Sequence, residues 1–515
     1  MRLSDKHGNT TTLTFANFSG GLNTTTAQEM IGENELSRCL NMDIDTQSGL
    51  LKVVDGNKNI FTPPDGIKIK STMYDSINRI WLVVDKNNAV YTIDLTATNL
   101  TLSATLGSLT GNLFPCHASW ENGLLIASGG KLQYYNGTAL VTLANSQATC
   151  SAVYVKKGRV VTNDLTTDNQ SKIYFSATGD ETTWADTSGD DSSGKWLEVG
   201  YKDGGKVIAF VPMAQDMVII KNNKCVYRLT GDYPNWSVVE VSRNVDCISP
   251  LAFYPEGTSV YVVGNNRMQL LDTNNFYGDI KASDVATKVS DKLKTIDTDN
   301  PRMIYVPPLN QVWIPLQQRF VLVYDCTAKS FFMRRFEGEG IVDVVSVGTT
   351  IFIIRPSSIC KVVPNLGYDN GEKMMWSFAS KRLISPHDFL LKRASVNITP
   401  HFDTLIEGNF KIGGVMFPLP TPYVAFRVWH NYSRVYHNRR HVMGANERCY
   451  NLYEAGQDVY ENFEPVYHNY SPVYNPAAIS MGDRVVYRNK TMAVSGSGSG
   501  CCFMLNNLTL DVAEV

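Results

Sequence analysis

Arginines are interleaved with tyrosines and histidines between residues 423 and 474, a mixture of side chains that binds other macromolecules. Guanidinium groups contact phosphates, aromatic rings stack on bases, and both are also enriched at protein interfaces. Acidic residues in the same segment would weaken binding to nucleic acid, so the pattern favours a protein interface: Glu447, Glu454, Asp458, Glu461 and Glu464. The residues that we expect at this interface are Arg434, Tyr436, His437, Arg439, Arg440, Tyr467 and His468.

The histidines of this segment have a spacing that metal sites also use. His437 and His441 are separated as two zinc ligands on one helix would be, and His430 lies nearby. The surrounding Asn, Tyr and Val residues do not favour a helix and no carboxylate accompanies them, so we interpret the histidines as solvated or stacking side chains. An acidic loop at residues 180–194 could bind calcium, but it lacks the ligand order of an EF-hand. We therefore predict no metal and no cofactor.

Motifs of the common catalytic sites are missing from the sequence. There is no Gly-x-Ser-x-Gly, no Gly-x-x-x-x-Gly-Lys-Ser/Thr, no His-Glu-x-x-His and no Cys-x-x-Cys. A glycosidase could still bring two carboxylates together from distant parts of the chain, but no Asp-box repeat (Ser-x-Asp-x-Gly-x-x-Trp) supports one. We predict that the protein is not an enzyme.

A turn followed by a strand recurs through the first 365 residues. This repeat predicts the secondary structure on which binding surfaces of the protein are built. Each copy follows a hydrophobic run and has Asn or Gly in its turn, as at residues 85–94, 128–135 and 221–229. Each copy therefore predicts a β-hairpin. Hairpins spaced by roughly 35 to 55 residues predict an array of four-stranded blades.

A closed ring of blades hides its sheet edges, so the predicted fold is all-β, with a β-propeller of about six blades and seven as the alternative. A sandwich or an irregular all-β domain would show similar turns, because Asn and Gly favour turns in every fold. The composition, with 19% charged and 10% aromatic residues, agrees with an all-β chain.

The pattern divides the chain into three regions. Residues 1–65 are predicted to form an extended N-terminal arm with a short helix near residues 33–40, and residues 66–365 to form the propeller. Longer strand-like phrases follow, so residues 366–515 are predicted to form a C-terminal β-sandwich-like unit that carries the insertion at 423–474. A second short helix is predicted at residues 282–293.

Charge and cysteine content limit the class of protein further. A net charge of −2 excludes binding of nucleic acid by bulk charge. The 10 cysteines have no paired spacing apart from Cys501-Cys502, so we expect reduced thiols in the core. The sequence has no apolar leader and no apolar run of 18 residues, which predicts a protein made in a cytoplasm without a membrane span.

A series of short sequence segments resembles the tail hub or nozzle proteins of short-tailed bacteriophages of the podovirus type, also called packaged-DNA stabilisation proteins. The entry is Phe18-Ser19-Gly20-Gly21-Leu22-Asn23, and residues 41–56 follow with Gly49-Leu50 and Asp55-Gly56. The middle of the resemblance consists of residues 157–160, 173–176, 207–210, 217–220, 226–231 and 322–325. The resemblance covers about residues 15–365 and contains no catalytic motif.

The resemblance implies a structural virion protein that forms a homohexameric ring below the portal and adaptor. Such a ring conducts viral double-stranded DNA without reading its sequence, retains the genome until ejection, and docks tail fibres or spikes. It would be assembled in the host bacterial cytoplasm and reside in the virion tail. The near-neutral charge suits this role, because a strongly basic lumen would hold the DNA. In that setting the insertion at 423–474 is a candidate for a distal gate or docking loop.

Two other classes of function remain open at this point. A host-recognition propeller would bind surface glycans by stacking sugars on exposed indoles, for which the candidates are Trp120, Trp184, Trp196 and Trp236. Tryptophans in blades are more often core residues. The third class is a polysaccharide-hydrolysing propeller, in which single acidic residues would be essential.

Overall fold

The computed structural model describes residues 10–45, 48–185, 193–213, 216–273, 280–400, 407–412, 415–418, 429–430, 433–434, 436–437, 440–441, 448–454, 467–468, 471–472 and 488–514. The chain divides into two compact units. The propeller unit comprises Asn59–Leu322 and Gly338–Lys361. The sandwich unit comprises the described parts of Met1–Lys58, Val323–Glu337 and Val362–Val515. Residues from both ends of the sequence thus share one unit, whereas the predicted regions follow the order of the chain.

Blades 1 to 5 are complete four-stranded antiparallel sheets. The strands of blades 1 and 2 are Ile69–Asp75, Ile80–Asp85, Ala89–Ile93, Gly107–Ser108, then Cys116–Trp120, Gly123–Ala127, Gln133–Tyr135 and Leu140–Thr142. The strands of blades 3 and 4 are Val153–Lys156, Arg159–Asn163, Lys172–Phe175, Lys195–Glu198, then Val207–Met213, Asp216–Lys221, Val226–Thr230 and Ser237–Ser242. Blade 5 consists of Phe253–Glu256, Ser259–Val263, Met268–Thr273 and Ile280–Asp284.

Blades 6 and 7 use strands that cross the boundary between the units. Blade 6 contains Ile304–Val306, Gln311–Pro315 and Phe320–Asp325, and the last of these continues into the sandwich unit. Blade 7 contains Asp343–Val347, Thr350–Ile354 and Ile359–Val363. Its outer strand is Gly56–Phe61, which precedes blade 1 in the sequence and belongs to the propeller unit from Asn59 onward. The helices described are Thr287–Val289, Ser290–Leu293, Pro307–Leu309 and Gln317–Arg319.

The second strand of each blade explains why the sequence reads as hydrophobic runs. In blade 2, Leu124 and Ile126 pack against blade 1, whereas Leu125 and Ala127 pack against blade 3. Successive side chains of a strand point to opposite faces, so a strand between two neighbouring blades is buried on both. Blades 1, 2 and 3 are therefore each held by apolar contacts on two sides.

The packing of the blades closes into a ring. One core cluster contains Trp81 and Val83 of blade 1 together with Phe352 and Ile354 of blade 7, and Phe61 of the outer strand packs against it. The first and last blades are thus neighbours. The fold class predicted from the sequence is confirmed as a β-propeller, and the described residues form seven blades, the alternative to about six that the sequence left open. The additional blade is the one completed by a strand from before the array.

The connections between blades are fixed by a glutamine that occurs at the same place in blades 2 and 5. Gln133 accepts a hydrogen bond from the backbone N–H of Thr110 at 2.9 Å and donates to the carbonyl of Ser108 at 3.1 Å. Gln269 accepts from the N–H of Asp246 at 3.2 Å and donates to the carbonyl of Asn244 at 2.9 Å. Both glutamines are buried, and both pair with segments that enter the blade.

The sandwich unit contains two facing sheets. The strands of the first sheet are Met42–Ile44, Leu51–Val53, Phe503–Glu514, Leu383–Pro400, Arg448–Glu454, Thr10–Phe15 and Arg488–Met492. Those of the second are Ser330–Arg335, Glu35–Leu40, Met375–Ser380, Val494–Ser499, Glu407–Ile412, Val415–Pro418 and Gly21–Leu22. Trp376 of the second sheet packs edge-on against Phe503 of the first, with ring centroids 4.9 Å apart. The predicted β-sandwich-like unit is confirmed, and it includes strands from the N-terminal arm.

Glycines in the second sheet make room for these aromatic rings. A Cβ atom on Gly496 would lie 2.5 Å from Phe378 Cε1 and 3.1 Å from Trp376 Cζ3. A Cβ atom on Gly408 would lie 2.7 Å from Trp376 Cζ2. Gly496 in the strand Val494–Ser499 and Gly408 in the adjacent strand therefore have a packing reason, because the rings lie directly on the strand backbone.

The two predicted helices are corrected by the structure. Residues 33–40 contain the strand Glu35–Leu40, which pairs with Met375–Ser380. Pairing with a distant strand outweighs the short helical pattern of Leu36, Cys39 and Leu40, since one or two helical turns are marginal without tertiary support. The second prediction is partly wrong: its first residues belong to the strand Ile280–Asp284, and only Ser290–Leu293 forms an α-helix.

The described cysteines are thiols rather than disulfides, and all of them except the partly exposed Cys225 are buried. The side chain of Cys449 lies outside the described residues. Among the described residues, no helix is both long and apolar enough to cross a membrane.

Candidate functional site

A buried ion pair lies where blades 6, 7 and 1 meet. The guanidinium of Arg302, which precedes the first strand of blade 6, is 3.0 Å from the carboxylate of Asp343 at the start of blade 7. Thr72 of blade 1 donates its hydroxyl to the same carboxylate, and Arg302 also donates to the carbonyl of Val342. Three blades therefore contribute to one polar network at the first strands of the ring.

Blade 2 contributes an aromatic ring and an imidazole to this network. The guanidinium carbon of Arg302 lies 5.2 Å from the ring centroid of Phe114. His117 lies in the first strand of blade 2, and its buried Nδ1 has no hydrogen-bond partner among the described residues. Burial, and then the charge of Arg302, lower the pKa of His117 to about 4. His117 is consequently a neutral imidazole at neutral pH.

A pocket of about 410 Å³ adjoins this network. It is lined by turns and connections of blades 1, 6 and 7, and it shares Asn300 and Val342 with the surroundings of Arg302. Its apolar wall includes Ile69, Leu316 and Phe320. Its charged and amide side chains are Lys70, Lys86, Asp297, Asp299, Asn300, Gln317, Gln318 and Arg319.

The cationic side chains of the pocket differ in how many hydrogen bonds they already make within the protein. Lys70 donates to Asn88 Oδ1 at 2.9 Å and to the carbonyl of Asn112 at 3.1 Å, and burial lowers its pKa. Arg319 donates to the carbonyl of Gly338 at 3.0 Å. Lys86 is exposed and has no partner in the part of the chain that the structure describes. Its ammonium is the one most available to a ligand or to solvent among these three.

The carboxylates of the pocket lie on the connection into blade 6. Asp297 accepts a hydrogen bond from the backbone N–H of Asp299 at 3.0 Å, and burial raises the pKa of Asp297. Asp299 is exposed. These two groups, with the amide of Asn300, make one side of the pocket rich in acceptors.

The rim of the pocket is a tight turn with an unusual backbone. Gln318 and Arg319 both have positive φ angles, 57° and 69°. Such angles are uncommon for residues other than glycine and persist where the surrounding structure holds them. The turn is closed by a hydrogen bond from the N–H of Leu316 to the carbonyl of Phe320 at 2.8 Å. The rim is therefore a fixed feature of blade 6.

The pocket can recognise a ligand by charge, hydrogen bonding and apolar contact. The described residues contain no group of three or more His, Cys, Asp or Glu side chains that could hold a metal ion. Sequence reasoning missed this site because its residues are distributed over three blades without a motif. The one local signal is the polar run at residues 297–300 immediately before Pro301 and Arg302.

The predicted gate or docking residues lie in short backbone ladders. His437 pairs with Arg440, Tyr436 pairs with His441, and Arg434 pairs with Trp429. Tyr467 and His468 pair with Pro472 and Ser471. Arg439 lies outside the described residues. His437 and His441 thus belong to opposite strands of one ladder and do not lie on one helix. In the acidic loop, residues 186–192 lie outside the described residues.

The tryptophans that could stack on sugars differ in exposure. Trp120 and Trp184 are buried in the cluster between blades 2 and 3. Trp236 packs against Phe175 with ring centroids 4.2 Å apart. Trp196, on the outer strand of blade 3, is 50% exposed, and Lys172 Nζ lies 4.8 Å from its ring centroid. Trp196 is the candidate of these four that a ligand can reach most readily.

The sequence segments that carry the phage-family resemblance lie at turns and strand contacts. Asn41 has a φ of 52°, donates to the carbonyl of Met375 at 2.7 Å, and accepts from the N–H of Arg335 at 2.8 Å. Phe18 is buried, and a Cβ atom on Gly21 would lie 2.7 Å from Ser330 Cβ. The later phrases fall in blades 3, 4 and 6.

Comparisons with known proteins identify no family for the chain. No protein-family model matches the chain, and no curated protein matches it. Among solved structures, the β-propeller domain of Cps50 (Swd1) from Myceliophteria thermophila has 9% identity and a TM-score of 0.41, covering 59% of this chain and 98% of that chain. The WD40 β-propeller domain of Doa1 has 12% identity and a TM-score of 0.39, covering 60% and 96%. The computationally designed Ika8 protein has 10% identity and a TM-score of 0.36, covering 59% and 99%. Because these TM-scores are low, the propeller assignment rests on the strand order and the core clusters.

Proposed function

We propose that the protein is a structural component of a short phage tail, the hub or nozzle through which the genome is retained and ejected. The observation that carries the proposal is the position of the resembling segments: Asn41 and Gly21 fix strand contacts of the sandwich unit rather than a pocket or a catalytic group. Residues that specify an architecture are what a structural part of a virion requires. On this proposal the chain acts as an assembled ring in the virion tail.

Exposed apolar side chains on the outer part of the propeller support contacts between subunits. Trp196 is 50% exposed, Tyr201 is 70% exposed, and Val239 on the outer strand of blade 4 is 52% exposed. Exposed aromatic and apolar side chains are typical of protein interfaces. A cyclic homohexamer repeats one heterologous contact, so each subunit needs two different faces. We assign the outer strands of blades 3 and 4 to one of these faces.

The remaining partners follow from the same proposal. The adaptor or portal would bind one end of the ring and the tail fibres or spikes another, while double-stranded DNA passes through the channel of the assembly. The 423–474 insertion is the proposed distal gate or docking loop, with Arg434, Tyr436, His437, Arg439, Arg440, Tyr467 and His468 as its candidate residues. Arg448–Glu454 lies within the insertion and pairs with the strand Leu383–Pro400. Deletion of residues 423–441 and 467–474, which spares that strand, should leave folded rings that leak DNA or fail to dock fibres.

Native mass spectrometry and negative-stain imaging test the proposal. We expect six-fold rings with a central channel, formed by the purified chain alone or with virion tail components. The double substitution Trp196→Ser and Tyr201→Ser should weaken assembly of the hexamer. Trp236→Phe alters an indole that packs against Phe175 within the subunit and should leave assembly unchanged. A chain that stays monomeric with tail components present would contradict the proposal.

The exposure of Trp196 favours one second candidate, a propeller that binds host-surface glycans. An exposed indole offers the apolar face on which a sugar ring stacks. Binding of the purified monomer to a glycan array, lost on Trp196→Ala and retained on substitution of the buried Trp184 by Phe, would favour this function over the nozzle.

A further inference from the structure

We propose that the pocket between blades 6, 7 and 1 binds a cationic head group, an ammonium or a guanidinium, carried on an alkyl stem. Free diamines and the Lys or Arg side chain of a peptide share this chemistry. The proposal goes beyond the structural role above and does not depend on it, because binding is measured on whatever assembly the chain forms. Three features of the pocket support the proposal: its hydrogen-bond acceptors, the hydrogen bonds already made by its cations, and its apolar wall.

Asn300 is the acceptor that most clearly lacks a partner. Its side chain is only 5% exposed and lines the pocket. Its Nδ2 donates to the carbonyls of Val342 at 2.9 Å and Ile341 at 3.3 Å, which fixes the orientation of the amide. Its Oδ1 is buried and accepts no hydrogen bond from the described residues. A buried acceptor without a donor destabilises the structure, so a donor brought by a ligand would be favourable there.

Two carboxylates lie close to Asn300 in the sequence and line the same pocket. Asp297 accepts from the N–H of Asp299 at 3.0 Å, and an ionised carboxylate can accept several further hydrogen bonds. Asp299 is exposed, and its carboxylate makes no hydrogen bond to the described residues. An ammonium or guanidinium has only donors, so it matches this set of acceptors.

Three cations share the lining with these two carboxylates, and hydrogen bonds to neutral groups leave their positive charges in place. The donors of Lys70 are directed at Asn88 and Asn112, and Arg319 donates to Gly338, so both support the fold around the pocket. Lys86 is the exposed cation without a partner in the described part of the chain. We therefore expect the positive charge of Lys86 to weaken the binding of a cationic ligand. Removal of this charge should strengthen binding, whereas removal of a carboxylate should weaken it.

The size and the apolar wall of the pocket indicate a head group with a stem. A volume of about 410 Å³ lies in the range of sites for small organic ligands. Leu316, Phe320 and Val342 supply apolar surface beside the polar side. Alkyl stems of cationic side chains pack on such surface while their charged ends reach polar groups.

Calorimetric titration of the purified full chain tests the proposal with four probes. Agmatine and putrescine represent free amines, and N-acetyl-arginine amide represents a side chain of a peptide. N-acetyl-glutamate amide is the anionic control. We expect the cationic probes to bind and the anionic one not to bind. Tighter binding of the free amines would assign the site to diamines, and tighter binding of the arginine derivative would assign it to a peptide. Binding of the glutamate derivative alone, or of no cationic probe, would overturn the proposal.

Matched substitutions locate the binding. Asp297→Asn keeps the shape of the side chain and should weaken the cationic probe by about tenfold or more, since a charged hydrogen bond is lost. Lys86→Gln should tighten binding by about two- to fivefold through the loss of a repulsion. Asp284→Asn, on the exposed outer strand of blade 5, should change nothing. Equal affinity of wild type and Asp297→Asn, with unchanged thermal unfolding, would refute the site.

The pH dependence gives an independent readout. Burial raises the pKa of Asp297, so this carboxylate takes up a proton at a higher pH than an ordinary aspartate. Affinity for agmatine should therefore fall as the pH is lowered through that raised pKa. The Asp297→Asn variant should show a flatter profile over the same interval. Affinity that rises on acidification would contradict the assignment.

Discussion

Single buried side chains that bond to the backbone determine how one blade follows the next. Gln133 and Gln269 each hold one N–H and one carbonyl of the segment that enters their blade. Both backbone groups would lose their partner if the amide were removed, and a buried polar group without a partner is costly. The two glutamines thus act as equivalent clamps in blades that are not neighbours.

Substitution of Gln133 by Ala should lower the free energy of unfolding by about 1 to 3 kcal/mol. Gln269→Ala should have a similar effect, and the double variant should show the sum, because the two sites share no partner. Urea unfolding followed by tryptophan fluorescence measures the changes. The exposed Gln317→Ala is the control. Unchanged stability in both single variants would show that water replaces the clamps.

His117 should make the stability depend on pH. Its pKa is lowered to about 4 in the folded chain, whereas the unfolded value is 6.5. Between these values the unfolded state binds the proton and the folded state does not, so stability should fall as the pH drops from 6.5 towards 4. The loss is on the order of 3 kcal/mol at its largest. His117→Gln should reduce this dependence, and parallel unfolding curves for wild type and variant across that interval would contradict the prediction.

Strands and turns show which parts of the structure could be read from the sequence. The runs of the second strands predicted hairpins correctly because a blade buries both faces of that strand. The strand Glu35–Leu40 was not predictable, because its partner Met375–Ser380 is far away in the sequence. The pocket was not predictable either, since Lys70, Asp297 and Arg319 come together only when the ring closes. The local residue pattern identifies hairpins whose strands are close in the sequence. Strands and pockets formed by distant segments depend on long-range pairing, which the local pattern does not show.

The strand Val494–Ser499 tolerates no side chain where an aromatic ring lies on it. Gly496→Val should destabilise the sandwich unit by about 1 to 3 kcal/mol, because its Cβ would lie 2.5 Å from Phe378 Cε1 and overpacking forces neighbours to shift. Ser497→Val, at an exposed position of the same strand, is the control. Thermal unfolding measured for both variants distinguishes them. Equal melting temperatures would mean that the ring of Phe378 moves aside at little cost.

At the scale of the whole molecule, ring closure depends on a strand that precedes the array. Phe61 packs against the cluster shared by blades 1 and 7, while its neighbour Ile60 is 40% exposed. Phe61→Ala should therefore speed hydrogen exchange of amides in the blade 1 and blade 7 strands by about tenfold or more, through loss of roughly 1 to 3 kcal/mol of packing. Ile60→Ala should leave exchange nearly unchanged. A uniform change over all blades would argue against a local closure.

The composite blade 7 also sets an order in time. Its outer strand, Gly56–Phe61, is synthesised before any blade, and its other strands, ending at Val363, are synthesised after all of them. A growing chain must therefore keep one face of blade 1 uncovered until the ribosome has passed blade 7, and such exposed apolar surface favours aggregation. Completion of the ring reports that almost the whole propeller has been translated, so an incomplete chain cannot present a closed ring to its partners.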